Sequence, residues 1–334
     1  MNSRRHLLRT SLYFAGSLLC ASVISACNAP TAQLPTSSAP DAFKVALLLP
    51  GPKDDGSWNE TGYDGGKLIE KELQAEVSVA ESIPPEEFEQ RFSEYAEQGY
   101  DLIIGHGGQF VDAAEAVAED HPRSNFAVIT PYGGNNRNLG AIAFRDSEIG
   151  YLAGALAALV SENQKVAYVG GEAYETGKTK AAFFKKGAQA INPDVVAEER
   201  WLETWSDRTR GEATGEDLIA AGFDVIAVDA DSAGLPIHQQ AAAAGTYTIG
   251  WATDQNELAS ETIISSGIQD VSLMMLKGAT IAQKGQWEGT QYKFGLADGV
   301  QSLAPFYETL TPEQTERIQE IEAAILKGEI KLTP

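Results

Sequence analysis

The sequence predicts an α/β protein of two lobes, each a doubly wound parallel sheet. Three observations carry this reading. Short apolar β runs alternate with helical periods from Phe43 onward. The alternation restarts near Lys165, as one unit following another. The 334 residues suit about two domains at ~100–200 residues each. Apolar strands buried on both faces and separated by amphipathic helices mean parallel sheets.

In chain order, Lys44–Leu49 is a β run stopped by Pro50-Gly51-Pro52. A helix follows over 60–74, with Tyr63, Leu68, Ile69 and Leu73 inward, and Ser57-Trp58-Asn59-Glu60 has capping-box spacing before it. Val77–Ala80 reads as a strand, 86–98 as a helix, and Asp101–Ile104 as a strand leading into a helix through Val117. Phe126–Ile129 and Leu139–Phe144 are further strands, and 147–160 is an Ala- and Leu-rich helix of close packing. The second series has strands at 165–169, 195–201, 224–228, 247–251 and 291–295. Its helices fall at 176–191, 209–221, 234–244, 269–284 and 312–327. In such sheets ligands sit beyond the carboxyl ends of strands, which points to the loops after 49, 104, 129, 169, 201, 228 and 251.

Composition removes several function classes. With 47 acidic and 25 basic residues the net charge is −22, which repels nucleic acid and anionic lipid surfaces. Two cysteines and four histidines supply neither a disulfide scaffold nor a Cys-rich zinc site. His106, His121 and His238 lack metal-ligand spacing and read as surface or packing residues. No cofactor and no metal are expected.

The first 26 residues read as a secretory signal, with Arg4, Arg5 and Arg9 before an apolar stretch and no acid. Ile24-Ser25-Ala26-Cys27 resembles a bacterial lipobox, so Cys27 is the expected lipidation site. Arg4-Arg5 also resembles a twin-arginine signal, and the export route stays open. Residues 27–42 are rich in Pro, Ser, Thr and Ala and read as a flexible tether.

Val169 to Thr179 imitates a phosphate loop, but five residues separate Gly171 from Gly177 where four are needed. Gly105-His106-Gly107-Gly108-Gln109-Phe110 is either a tight turn or a place where a ligand approaches the backbone, with Gln109 its polar candidate. Asp54-Asp55, between Pro52 and Gly56, suits a turn or a ligand hydrogen bond rather than acid catalysis. Trp58, Trp205 and Trp251 lie at or just beyond strand ends, where large aromatics need a reason. Stacking on a flat ligand is one, and packing between lobes is the other.

Lys44–Leu49 with Asp54–Gly65 resembles the opening of the basic membrane protein family, the PnrA-like substrate-binding lipoproteins of ABC transporters. Gly99–Gly105, Gly150–Ala157, Tyr168–Gly171, Ile191–Asp194, Phe223–Ile226 and Gly295–Gly299 continue the resemblance in order. It implies a type I periplasmic-binding-protein fold, a multi-crossing hinge and a ligand in the cleft. The expected lobes are 43–145 plus about 253–290, and 146–252 plus about 291–334. Well-studied members of the family bind purine nucleosides, and the aromatic and Asn after their first strand match Trp58 and Asn59. A second aromatic matches Trp205, with Asp207 behind it; Asp112 and Asp231 become base or sugar contacts. Asp55, Gln109, Trp251 and Asp254 complete the expected ligand set. Two residues depart from the family pattern: Ala252 stands where the family has an Asp expected to bind ribose, and Gln269 where it usually has a Lys. Asp229–Ser232 resembles a branch other than the nucleoside binders. The resulting expectation is a monomeric, exported, membrane-anchored receptor for a purine-like solute. It serves a permease with a cytoplasmic ATPase and performs no chemistry. A nucleoside-processing enzyme and a sensor uncoupled from transport are the alternatives.

Overall fold

The computed structural model describes residues 42–333, so the expected signal, Cys27 and most of the tether lie outside the described residues. Hydrophobic alternation builds two six-stranded sheets. The first holds β1 (Lys44–Leu48), β2 (Glu76–Ala80), β3 (Leu102–Gly105), β4 (Asn125–Val128) and β5 (Leu139–Phe144), in the order β5-β4-β3-β1-β2. The second repeats that order with β6 (Lys165–Gly170), β7 (Val196–Trp201), β8 (Val225–Asp229), β9 (Tyr247–Ala252) and β10 (Ile263–Gln269), as β10-β9-β8-β6-β7. Each sheet gains one edge strand from later in the chain. β11 (Gln291–Phe294) runs parallel to β5, and β12 (Gln301–Leu303) antiparallel to β10. Every other pairing is parallel.

Helices cover both faces of each sheet. In the first lobe α1 (Trp58–Leu73) and α8 (Val271–Gln283) cover one face, α2 (Phe88–Glu97) and α3 (Val111–Ala118) the other. Leu47 joins the core with Ile69 and Met275, while its neighbour Leu48 joins the core with Phe92 and Phe110. That is the period-two pattern of a strand buried on both sides. In the second lobe α4 (Asp146–Val160), α5 (Glu175–Ile191) and α9 (Pro312–Leu326) back one face. α6 (Arg208–Ala220) and α7 (Asp231–Ala244) back the other.

α4 and α5 approach so closely that a Cβ on Gly154 would lie 1.9 Å from the Phe184 carbonyl oxygen. Only glycine permits this contact, and it sets how deeply α5 sits.

The chain passes between the sheets three times: after β5, after β10 and after β11. The crossings are tied together. Arg145 N–H donates to the Phe294 carbonyl at 2.8 Å, Leu296 N–H to Glu148 at 2.8 Å, and Asp270 N–H to the Val300 carbonyl at 2.8 Å.

The expected lobe boundaries need correction. The segment 253–290 was expected in the first lobe, yet β10 lies in the second sheet; 291–334 was expected in the second lobe, yet β11 lies in the first. The cause is β10 itself, Ile263-Ile264-Ser265-Ser266-Gly267-Ile268-Gln269, whose Ser-Ser-Gly centre has poor strand propensity. It is a strand because its polar groups are satisfied: Ser265 Oγ donates to the Ala304 carbonyl at 2.7 Å, and Ser266 Oγ accepts from Gln255 N–H at 3.1 Å.

Candidate functional site

A cavity of about 930 Å³ opens between the lobes at the carboxyl ends of the central strands. That is where reversal of strand order leaves a crevice.

The first-lobe wall starts in the loop after β1. The expected capping box does not form, since Ser57 makes no side-chain cap bond. The Asp55 carboxylate caps α1 instead, accepting from the N–H groups of Ser57 (2.9 Å), Asn59 (3.1 Å) and Glu60 (3.1 Å). Burial pushes its carboxyl up, but the Asn59 amide and these N–H groups outweigh that and hold it below its ordinary range. Asn59 Nδ2 donates to Asp55 at 2.6 Å and its Oδ1 accepts from Gly51 N–H at 3.2 Å. Asp55 and Asn59 therefore secure the loop and are not among the residues lining the cavity.

What the loop delivers to the cavity is Trp58. Its indole stacks on the His106 imidazole, centroids 4.1 Å apart and planes at 19°. His106 Nε2–H donates to the Trp58 carbonyl at 2.8 Å. Burial lowers the His106 pKa to about 4, so the ring is neutral at pH 7. Since the carbonyl can only accept, Nδ1 carries the lone pair, and it has no partner. Gln109 lines the same side, while Asp112 is exposed on α3 and does not.

The opposing wall comes from the second lobe. Trp205, between β7 and α6, lies over Gly171, where a Cβ would come within 2.4 Å of the indole. Gly170 makes the same room for Trp201. The glycines of the phosphate-loop lookalike therefore admit tryptophans. Tyr174 flanks Trp205, with centroids 6.4 Å apart. Asp231 opens α7 with φ +44° and accepts from the first-lobe Ser57 hydroxyl at 3.3 Å, across the mouth of the cleft. Asp207 is the N-cap of α6, accepting from Thr209 N–H at 3.0 Å. Asp254 accepts from the Tyr307 hydroxyl and from Asn256 N–H. Neither lines the cavity.

The floor is a polar network of which the sequence pointed to Trp251 and Gln269 but not to Lys180, Asp146 or Tyr168 as site residues. The Lys180 ammonium lies 2.5 Å from Asp229, which also accepts from the Tyr168 hydroxyl at 2.5 Å. Trp251 Nε1–H donates to Gln269 Oε1 at 2.9 Å, and Gln269 Nε2 donates to Asp146 at 3.3 Å. Burial raises the Asp146 pKa to about 6, against the lowering pull of Lys180. Burial and then the Asp229 charge push the Tyr168 phenol well above its ordinary value. The available signal was Lys180 itself, a charge on the buried stripe Gly177, Lys180, Ala181, Phe184 and Gly187 of α5.

Of the expected ligand residues, then, Trp58, Gln109, Trp205, Asp231 and Trp251 meet in one cavity. Asp55, Asn59, Asp112, Asp207 and Asp254 lie outside its lining.

Two parallel-sheet lobes, three tied crossings and a cavity between them define a solute-binding protein architecture. The chain belongs to the Bmp family, ABC transporter substrate-binding proteins that are PnrA-like, whose model matches residues 42–333. It is 27% identical over 279 residues to the transcriptional activator protein med of Bacillus subtilis, covering 83% of this chain and 87% of that one. It is 28% identical to a putative ABC transporter glucose-binding protein, TsgA13, of Haloferax volcanii, covering 76% of this chain and 64% of that one. An ABC transporter solute-binding protein from Aeropyrum pernix K1 shares the fold, with a TM-score of 0.71 at 23% identity over 87% of this chain and 94% of that one. None of the described helices is long and apolar enough to cross a membrane.

Proposed function

We propose that the cleft takes a flat, purine-like heterocycle, as a nucleobase, nucleoside or similar ring, and presents it to an ABC permease without chemical change. The observation that carries this is that Trp58 and Trp205, from opposite lobes, line one cavity together with Tyr174 and Trp251. A volume of about 930 Å³ suits a small molecule of that kind. Stacking on an indole is worth ~1–3 kcal/mol per base, so Trp58→Ala or Trp205→Ala should each weaken binding roughly 5- to 150-fold. With Ala252 in place of a carboxylate, a nucleoside should gain little over its base. A thermal-shift screen of bases, nucleosides and flavins, followed by calorimetry on the two variants, tests the reading. Glucose is the control, given the name of the Haloferax relative. Wild-type affinity in both variants would reduce the rings to lobe packing.

Lipidation at Cys27 would hold the receptor at the membrane. Cys27→Ala should then move the protein from the detergent phase to the aqueous phase. Equal partitioning of the two forms would remove the anchor.

A further inference from the structure

The cavity is unequally charged. Five carboxylates line it: Glu60 and Asp64 on α1, Asp146 at the first hinge crossing, and Asp229 and Asp231 at the β8–α7 junction. Lys180 is the one basic residue among the described lining residues, and it is already paired with Asp229. The other four carboxylates have no basic partner within ion-pair distance among the described residues. Asp231 accepts a single hydroxyl at 3.3 Å. Asp146 is only 8% exposed at the cavity floor, and one of its oxygens has a partner, Gln269 Nε2 at 3.3 Å. Its other oxygen has none among the described residues.

The walls favour the same sign of ligand. Trp58, Tyr174, Trp205 and Trp251 present π faces, which attract cations. The Lys180 ammonium already lies 5.3 Å from the centroid of one of them, Trp251. His106 covers one face of Trp58, leaving the other as the usable wall. Closing two lobes over unpaired carboxylates strips their water, which is costly unless the ligand supplies compensating charge. A neutral ring would leave that cost standing, and an anion would add repulsion.

We infer that the ligand of this cleft is a cation, a flat heterocycle carrying positive charge at neutral pH. This rests on the receptor reading above and narrows it. Repelled from the same site are phosphorylated forms such as nucleotides.

The test is calorimetry on the full chain with probes matched in shape and different in charge. 1-Methyladenosine is cationic at neutral pH, adenosine neutral and adenosine 5′-monophosphate anionic; thiamine is a second flat cation. The expected order is cation, then neutral, then anion, with the methylated nucleoside about tenfold tighter than adenosine at 0.15 M salt. That margin should shrink in Glu60→Gln/Asp64→Asn, whose carboxylates have no side-chain hydrogen bond or ion pair among the described residues. Adenosine affinity on the same sample reports that the cleft is intact. If adenosine or the monophosphate binds as tightly as the cation, or the double variant keeps the full margin, the charge inference falls and the receptor reading stands. If no probe and no member of the thermal screen binds, the receptor reading fails and takes this inference with it.

Discussion

His106 is fully buried, yet its contacts with Trp58 concern the surface of the cleft. The imidazole braces one face of the indole and bonds its carbonyl, so side chain and backbone are fixed together. α1 makes room with Gly62, where a Cβ would fall 2.7 Å from the ring. A bare indole at the start of a helix would sample other rotamers and lose entropy on binding. A stacked aromatic pair is worth about 0.5–1.5 kcal/mol, so His106→Leu should weaken the ligand returned by the thermal screen roughly 2- to 12-fold. In a Trp58→Ala background the same change should have no further effect, because its influence passes through the indole. Calorimetry on the four proteins of that cycle checks both expectations. Equal losses in the two backgrounds would mean that His106 acts on the fold and not on the wall.

The elements show why some of this was legible in sequence and some not. Strands such as β3 and β6 are continuous apolar runs ended by glycine, and a parallel α/β reading follows from them directly. Trp58 and Trp205 stand beyond the carboxyl ends of two other strands, β1 and β7, where the fold class alone puts a cleft. α1 was read with the wrong cap, because Ser57 and Glu60 have the right spacing and Asp55 stands two residues before the cap. Its carboxylate reaches the helix start from a turn that the spacing rule does not describe. β10 was missed because its strand state comes from tertiary partners, the Ala304 carbonyl and Gln255 N–H, and not from side-chain propensity. That omission misassigned the edge strands and so the lobe boundaries. Lys180, Asp146 and Asp229 come from three separate elements, and no local pattern announces that folding brings them to one floor.

For the molecule as a whole, the buried titratable groups set a pH dependence whose sign can be worked out. His106 and His238 titrate near 4 in the folded state, burial lowering both from about 6.5. Between pH 4 and 6.5 the unfolded chain binds those protons and the native state does not, so stability rises with pH and is lost on acidification. Asp146 acts oppositely: its folded pKa of about 6 lies above the ordinary 3.8, so from pH 6 down to 4 the native state gains the proton first and is favoured. Two histidines shifted by about 2.5 units outweigh one carboxyl shifted by about 2, at 1.36 kcal/mol per unit, leaving a net loss on the order of 4 kcal/mol. A chain of net charge −22 also loses self-repulsion on acidification, which works the other way but is diffuse and screened by salt. At 0.5 M salt the urea midpoint should therefore fall steadily from pH 7 to pH 4.5. Asp146→Asn removes an opposing proton uptake and should steepen that fall between pH 6 and 4.5. A midpoint that stays level or rises on acidification would show that the two imidazoles titrate near their ordinary value. The packing of His106 beneath Trp58 would then be looser than described.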